Sequence, residues 1–305
     1  MMGLPKLWRR WRRQLKAKAP FVRRREYRIV ERKYAELIAS FTGLATPASQ
    51  ARLQVLTPLT PSLEGEVCLF VSHAAQPMLK QHVAHHVGSL LDAGVQVVLV
   101  INTHLSADQI VVDPALQARL SGILVRENTG FDFGAWAHAY SLQDRARWTR
   151  LFLVNDSMVG PLDKADFDNM LSHIRASPAD LIGLTENAAP IRHLQSYFMV
   201  LGNAAIRNPA FNQMMQGVLN FPDKGQVVDV YELRWMQRLA AMGLHCHAVF
   251  PALSDDSNDA DDTATRWECL IAKGFPYLKT RVINQFPRHS LVRQARLSGR
   301  ADEQI

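Results

Sequence analysis

The sequence predicts an α/β domain: a mostly parallel sheet flanked by helices. Three observations lead there. "EVCLFVSHA" and "VQVVLVINTH" are apolar runs of strand length, with no polar alternation. The segment between them, "PMLKQHVAHHVGSLLDAG", has apolar residues at helical spacing and stops at Gly94. Strand, helix, strand in that order implies parallel pairing, with helices covering the sheet. Finally, "SGILVRENTG" and "RLFLVNDSMVGPL" each run from apolar residues into a dense polar motif. On an open sheet such motifs fall at the carboxyl edge of the strands, where ligands bind.

The elements follow in order. Residues 26–50 read as a short helix, "REYRIVERKYAELIASF", then the turn-rich "TGLATPAS". After the first two strands come a short helix at "ALQARL", the third strand ending in "RENTG", and a helix at "FGAWAHAYSLQDR". A fourth strand ends in "NDS", a helix covers "FDNMLSHIR", and "ADLIGLTEN" and "QSYFMVLGNAAI" read as strands. Helices at "PAFNQMMQGVLNF" and "VYELRWMQRLAAMGL" precede a last strand, "HCHAVFP". The expected division is an N-terminal arm and helix over 1–50, a linker over 51–63, the α/β domain over 64–290 and a tail over 291–305. No internal repeat is visible.

Of 305 residues 48% are hydrophobic, enough for a full core. No window approaches the length of a membrane-crossing helix. Cys68, Cys246 and Cys269 are few and far apart, and they read as reduced core residues of a cytosolic protein. The net charge of +7 hides an asymmetry: residues 1–25 hold ten Lys and Arg and no acid, so the remainder is mildly acidic. In that arm Leu4, Leu7, Trp8, Trp11 and Leu15 recur at helical spacing among the cations. An interfacial helix on an anionic membrane has this composition, with Trp at the headgroup boundary. The competing readings are a nucleic-acid-binding arm and a solvated tail. The acidic body offers no extended basic surface, so no nucleic acid is expected as partner.

The motifs "RENTGFDFGAW", "NDSMVGPL", "LTEN", "HLQSYFMVL" and "TRWECLIAKGFPYLK", in this order over about residues 65–287, resemble the rhamnan synthesis F family. These are bacterial polysaccharide-assembly proteins related to GT-A glycosyltransferases. The resemblance implies a GT-A-like, Rossmann-like fold. It also implies transfer of rhamnose or a related sugar from a nucleoside-diphosphate donor to a lipid-linked glycan, with inverting outcome. The products would be surface polysaccharides such as O-antigen, capsule or rhamnan. With the basic arm, it places the protein on the cytoplasmic face of the cell membrane, held peripherally through residues 1–25. The alternative is a non-catalytic scaffold or glycan-binding subunit of the same machinery.

In those terms the motif residues acquire roles. Asn155, Asp156 and Ser157 end the fourth strand where GT-A enzymes hold the donor. Asp156 is the candidate ligand of Mn²⁺ or Mg²⁺, or else a ligand of a ribose or sugar hydroxyl. Asn128 and Asp132 are candidate donor ligands, with helix capping as the other reading of Asp132. Arg126 is a candidate phosphate ligand. Gly130 allows a sharp turn, Gly134 lets the following helix approach the sheet, and Trp136 packs under the loop. His73 ends the first strand, on the edge that receives the nucleotide base. His193, Gln195 and Ser196 fall on the acceptor side. Glu232, with Asp229 as alternative, starts a late helix where inverting enzymes place the general base. Lys279 is a possible phosphate contact. "LSDDSNDADDTATRW" lacks the glycine and glutamate of a calcium loop and reads as a solvated acidic loop near the mouth of the site. His82, His85 and His86 read as one helix face.

Overall fold

The computed structural model describes residues 20–41, 45–253 and 261–285. The main sheet is built from β1 (Leu53–Thr57), β2 (Gly65–His73), β3 (Gln96–Thr103), β4 (Gly122–Glu127), β5 (Trp148–Asn155), β6 (Leu181–Asn187), β7 (Phe198–Gly202) and β8 (Cys246–Phe250). They lie in the order β8-β6-β7-β5-β2-β3-β4-β1, and the two-residue strand His193–Leu194 pairs with β6 off this path. Strands β5, β2, β3 and β4 are parallel neighbours, as are β6 and β8. β7 runs antiparallel between β5 and β6, and β1 antiparallel to β4. The expected α/β, mostly parallel sheet is therefore present, with two reversed strands.

Side chains alternate between two cores. Leu69 and Val71 of β2 join Val98, Val100 and Leu153 on one face. Cys68 and Phe70 join Val97, Leu99 and Val154 on the other. Burial on both faces is why these strands read as unbroken apolar runs. Of the cysteines only Cys68 is buried; Cys246 is intermediate and Cys269 exposed.

Among the described residues, six longer helices surround the sheet: α1 (Pro20–Phe41), α2 (Gln81–Asp92), α3 (Phe131–Ser141), α4 (Lys164–Ala176), α5 (Pro209–Gln216) and α6 (Leu233–Ala241). α2 and α4 pack on one face; α3, α5 and α6 pack on the other. α2 stops as expected, because Gly94 takes φ 83° and the Val95 N–H returns to the Leu90 carbonyl at 3.0 Å.

Two boundaries need correction. Residues 51–63 are not a plain linker, because Leu53–Thr57 is the edge strand paired to β4. The N-terminal helix is also not separate from the body. Tyr34, Leu37 and Ile38 pack on the core, and Glu31 accepts from Arg238 Nε of α6 at 2.8 Å. The Arg238 guanidinium lies 3.6 Å from the centre of the Tyr34 ring. Residues 1–19 of the basic arm lie outside the described residues. Among the described residues, no helix is long and apolar enough to cross a membrane.

Candidate functional site

The carboxyl ends of β2 and β5 deliver the first group of residues. Asp156 follows β5, and its Oδ2 accepts from the Ser72 hydroxyl at 2.8 Å, the His73 N–H at 3.0 Å and the Lys80 ammonium at 2.7 Å. His73 itself is exposed, so its backbone, and in this structure not its ring, is what touches Asp156. Asn155 Oδ1 accepts from the Ser157 N–H at 3.0 Å and the Ser157 hydroxyl at 2.6 Å. That closes an Asx turn, after which the Asp156 side chain lies against the end of β2.

The amide of Asn155 donates to Asp132 Oδ2 at 2.8 Å, so the two polar motifs meet. Asp132 is not the N-cap of α3. Gly130 is, at φ 69°, and Asp132 sits in the first turn. Burial, aided by the charges of Asp156 and Glu232, pushes the Asp132 carboxyl up to about 7 against the pull of Lys224 and the Asn155 amide.

Glu232 ends a π-helical turn, Val228–Glu232, that leads into α6. Such turns often accompany functional sites. The Ser196 hydroxyl and the Ser196 N–H, the latter at 3.3 Å, both donate to Glu232 Oε2. His193 Nε2 lies 3.8 Å from Glu232 Oε1, and its Nδ1 lies 2.7 Å from the Ile191 carbonyl. That second contact assigns the N–H of a neutral ring to Nδ1 and leaves the Nε2 lone pair toward Glu232. Asp229 is exposed on the same turn. The carboxylates that act on Asp132 are Asp156 and Glu232, so Glu232, not Asp229, belongs to this group.

Gln195 leads to a third group. It donates from Nε2 to Asp261 Oδ1 at 3.0 Å, and Asp261 Oδ2 pairs with Lys279 at 2.6 Å and with Arg281. Lys279 also feels the charge of Glu232. The Thr280 N–H bonds the Ser157 carbonyl at 2.9 Å, and Lys279 pairs with Met158 across a short antiparallel strand pair. This segment is therefore stitched beside the end of β5.

Several sequence readings change. Arg126 is fully buried, and its guanidinium donates to the Thr129 carbonyl at 2.6 Å, Asn220 Oδ1 at 2.7 Å and the Ala48 carbonyl at 3.3 Å. With its nitrogens spent inside, it holds the loop together and does not face a phosphate. Burial pushes its pKa down to about 10. Asn128 is half-buried on the same loop, with no contact placing it in the groups above. Gly130 and Gly134 are required by Asn220: a Cβ on Gly130 would lie 2.7 Å from Asn220 Cα, and one on Gly134 2.5 Å from Asn220 Oδ1. Trp136 goes deeper than the loop, donating to the carbonyls of Leu69 at 3.0 Å and Val154 at 3.3 Å.

The histidines of α2 do not converge. His82 and His85 bond the Asp156 and Pro161 carbonyls, at 3.3 and 2.9 Å. His86 is buried against the Tyr277 hydroxyl at 3.0 Å, and burial pushes its pKa down to about 3. Residues 254–260 of the acidic loop lie outside the described residues.

The side chains do not fit the divalent ion expected at Asp156. An ammonium already contacts Oδ2, together with two neutral donors, whereas a hard cation needs several free oxygens. Among the described residues, no three His, Cys, Asp or Glu side chains could hold a metal together. Sequence reasoning missed Ser72, Lys80, Lys224 and Arg281, and it read Asp261 as part of a solvated loop, whereas that side chain is largely buried against Lys279. Lys80 did carry a signal: it is the N-cap residue of α2, where a cation opposes the helix dipole.

The chain is 24% identical over 195 residues to "Virulence protein VirA" of Vibrio anguillarum, covering 53% of this chain and 62% of that protein. It is 27% identical over 138 residues to "Uncharacterized protein y4gN" of Sinorhizobium fredii, covering 42% of this chain and 34% of that one. It thus spans less than two thirds of the length of either relative. The profile of rhamnan synthesis protein F matches residues 97–298, from β3 onward, which takes in Asp132, Asp156, Glu232 and Lys279 and leaves out His73 and Lys80. With about two thirds of its length matched, the chain belongs to the rhamnan synthesis protein F family.

Proposed function

We propose that this protein is a GT-A-like glycosyltransferase of bacterial surface-polysaccharide synthesis. Its donor would be a nucleoside-diphosphate sugar, rhamnose or a related one, and its acceptor a lipid-linked glycan. The observation that carries the reading is the convergence of Asp156, Asp132 and Glu232 at the carboxyl edge of β2 and β5 in a member of this family. Asp156 and the Asn155–Asp132 pair would hold hydroxyls of the donor. Ser157 would border them through its turn.

Glu232 is the general base of this reading. It takes the proton of the acceptor hydroxyl as that oxygen bonds to the anomeric carbon. The bond from the anomeric carbon to the phosphate oxygen breaks, and its electron pair leaves with the nucleoside diphosphate. Attack opposite the leaving group gives inversion. Ser196 orients Glu232, and His193 presents a lone pair toward Oε1 that can share the captured proton. Gln195 links this acceptor side to Asp261. The arm, residues 1–25, would hold the protein on the anionic inner face of the cell membrane, where lipid-linked acceptors are displayed.

A scaffold reading has one observation in its favour, the pairing of Asp156 with Lys80. Glu232→Gln separates the two. In a transfer assay with labelled nucleotide sugars and membranes carrying lipid-linked glycans, the variant should lose about 10²–10⁴-fold in kcat. Donor affinity should stay within about threefold, since a transition-state contact is what is removed. Wild-type turnover in the variant would remove Glu232 from the mechanism, and no turnover by wild type would favour the scaffold.

A further inference from the structure

We propose that Lys279 and Arg281 form a diphosphate site, and that the Asp261 carboxylate stands in that site until an anion displaces it. The inference rests on the glycosyl-transfer reading for its biological ligand, a nucleoside diphosphate. Its physical basis is separate.

Two cations share one carboxylate oxygen here, Lys279 at 2.6 Å and Arg281 beside it. One carboxylate balances only one of them: the Lys279 ammonium is largely buried, where water screens it poorly, and Arg281 adds a second positive charge at the solvent side of the same oxygen. Burial, and after it the nearby Arg281, pull the lysine's pKa down, while Asp261 and Glu232 support it. A diphosphate brings at least two negative charges and a set of acceptor oxygens to the same pair, a better match for a guanidinium fork and an ammonium together.

Asp261 is also held in an unusual way. Its backbone has φ 100° and ψ 72°, outside the regions that non-glycine residues favour. Such conformations persist where the surroundings impose them, and they concentrate at ligand clamps and switches. Here the surroundings are the two cations, the Gln195 amide at 3.0 Å and the Thr263 hydroxyl. Burial alone would raise the carboxyl's pKa, but Lys279, Thr263 and Arg281 hold it below its ordinary value, so Asp261 is a bound anion.

Position completes the argument. Thr280, between the two cations, is bonded through both its N–H and its hydroxyl to the Ser157 carbonyl, at 2.9 and 3.1 Å. Ser157 directly follows Asp156. The cation pair thus borders the strand end at which the donor would sit, and Glu232 lies close enough to act on Lys279. Protein cations beside the leaving diphosphate would supply the charge neutralisation for which the Asp156 donor set offers no divalent ion.

The test is calorimetric titration with inorganic pyrophosphate, first in EDTA and then with Mn²⁺, on the full chain. Wild type should bind in EDTA. Asp261→Asn, which keeps an acceptor for Gln195 and removes the competing charge, should bind about tenfold more tightly. Lys279→Gln and Arg281→Gln should each bind about tenfold more weakly. The Arg281 side chain is 54% exposed, so its variant keeps the test decisive if a more buried one fails to fold. Pyrophosphate affinity indifferent to Asp261→Asn and Arg281→Gln, or binding only with Mn²⁺ and lost in Asp156→Ala, overturns the proposal. Pyrophosphate binding as predicted without binding of any nucleotide sugar would keep the cation site and reject glycosyl transfer. Nucleotide-sugar binding indifferent to Arg281 would do the reverse.

Discussion

The Asn155 side-chain amide donates to Asp132 Oδ2 at 2.8 Å, across the gap between the end of β5 and the first turn of α3. One hydrogen bond therefore joins the two polar motifs, which are 23 residues apart in the chain. It also fixes Asp132 next to Asp156, whose charge adds to burial in raising the Asp132 pKa to about 7.

That shift has a sign. The unfolded Asp132 titrates near its ordinary value of 3.8 and the folded one at about 7, so between those values the folded state binds more protons. Stability falls as pH rises through that window and has lost the full contribution above it. Asp132→Asn should therefore stabilise the protein at pH 8 by roughly 1–3 kcal/mol and change it little at pH 4. Denaturant melts of both proteins at the two pH values measure this; equal differences at pH 8 and pH 4 would refute the shift.

Arg126 separates structure from ligand binding. Replacing it with Met leaves Asn220 Oδ1 and the Thr129 carbonyl without this donor, while the Ala48 carbonyl keeps the Ala51 N–H at 3.5 Å. An unsatisfied buried acceptor costs about 1–3 kcal/mol, so the loss should reach about 3 kcal/mol or more in urea unfolding. A phosphate ligand would behave in the opposite way, with stability kept and donor affinity lost.

The N-terminal region should divide at α1. Deleting residues 1–19 should alter unfolding free energy by less than about 0.5 kcal/mol and abolish flotation with anionic vesicles. Deleting through Phe41 strips Tyr34, Leu37 and Ile38 from the core and leaves the buried Arg238 without Glu31. That second loss should cost about 3–5 kcal/mol. Vesicle binding that survives the shorter deletion would exclude residues 1–19 as the anchor.

The central strands were legible because they are buried on both faces: Val98, Leu99 and Val100 are apolar whichever way each points. β1 was not, because an edge strand leaves Val55 exposed and reads like a connector. The reversal of β7 was hidden as well, since "FMVL" carries no mark of direction. Site residues were legible where chemistry and local order coincide, as with Asp156 after β5. Arg126 misled because its partner Asn220 is 94 residues away, and a charged residue ending a strand looks the same paired or free. Of the Asp261 cluster only Lys279 was legible, as a phosphate contact, and its pairing with Asp261 was hidden for the same reason. The cluster's cations come from a late segment whose place beside Ser157 is set only by the fold.

The most direct test of the account is a titration of dTDP-, UDP- and GDP-linked sugars into wild type, Asp156→Ala and Glu232→Gln. The account predicts that one nucleotide class binds wild type, that Asp156→Ala weakens it at least about tenfold, and that Glu232→Gln leaves it intact. Failure of the folded protein to bind any of the three classes, or binding that ignores Asp156, would contradict it.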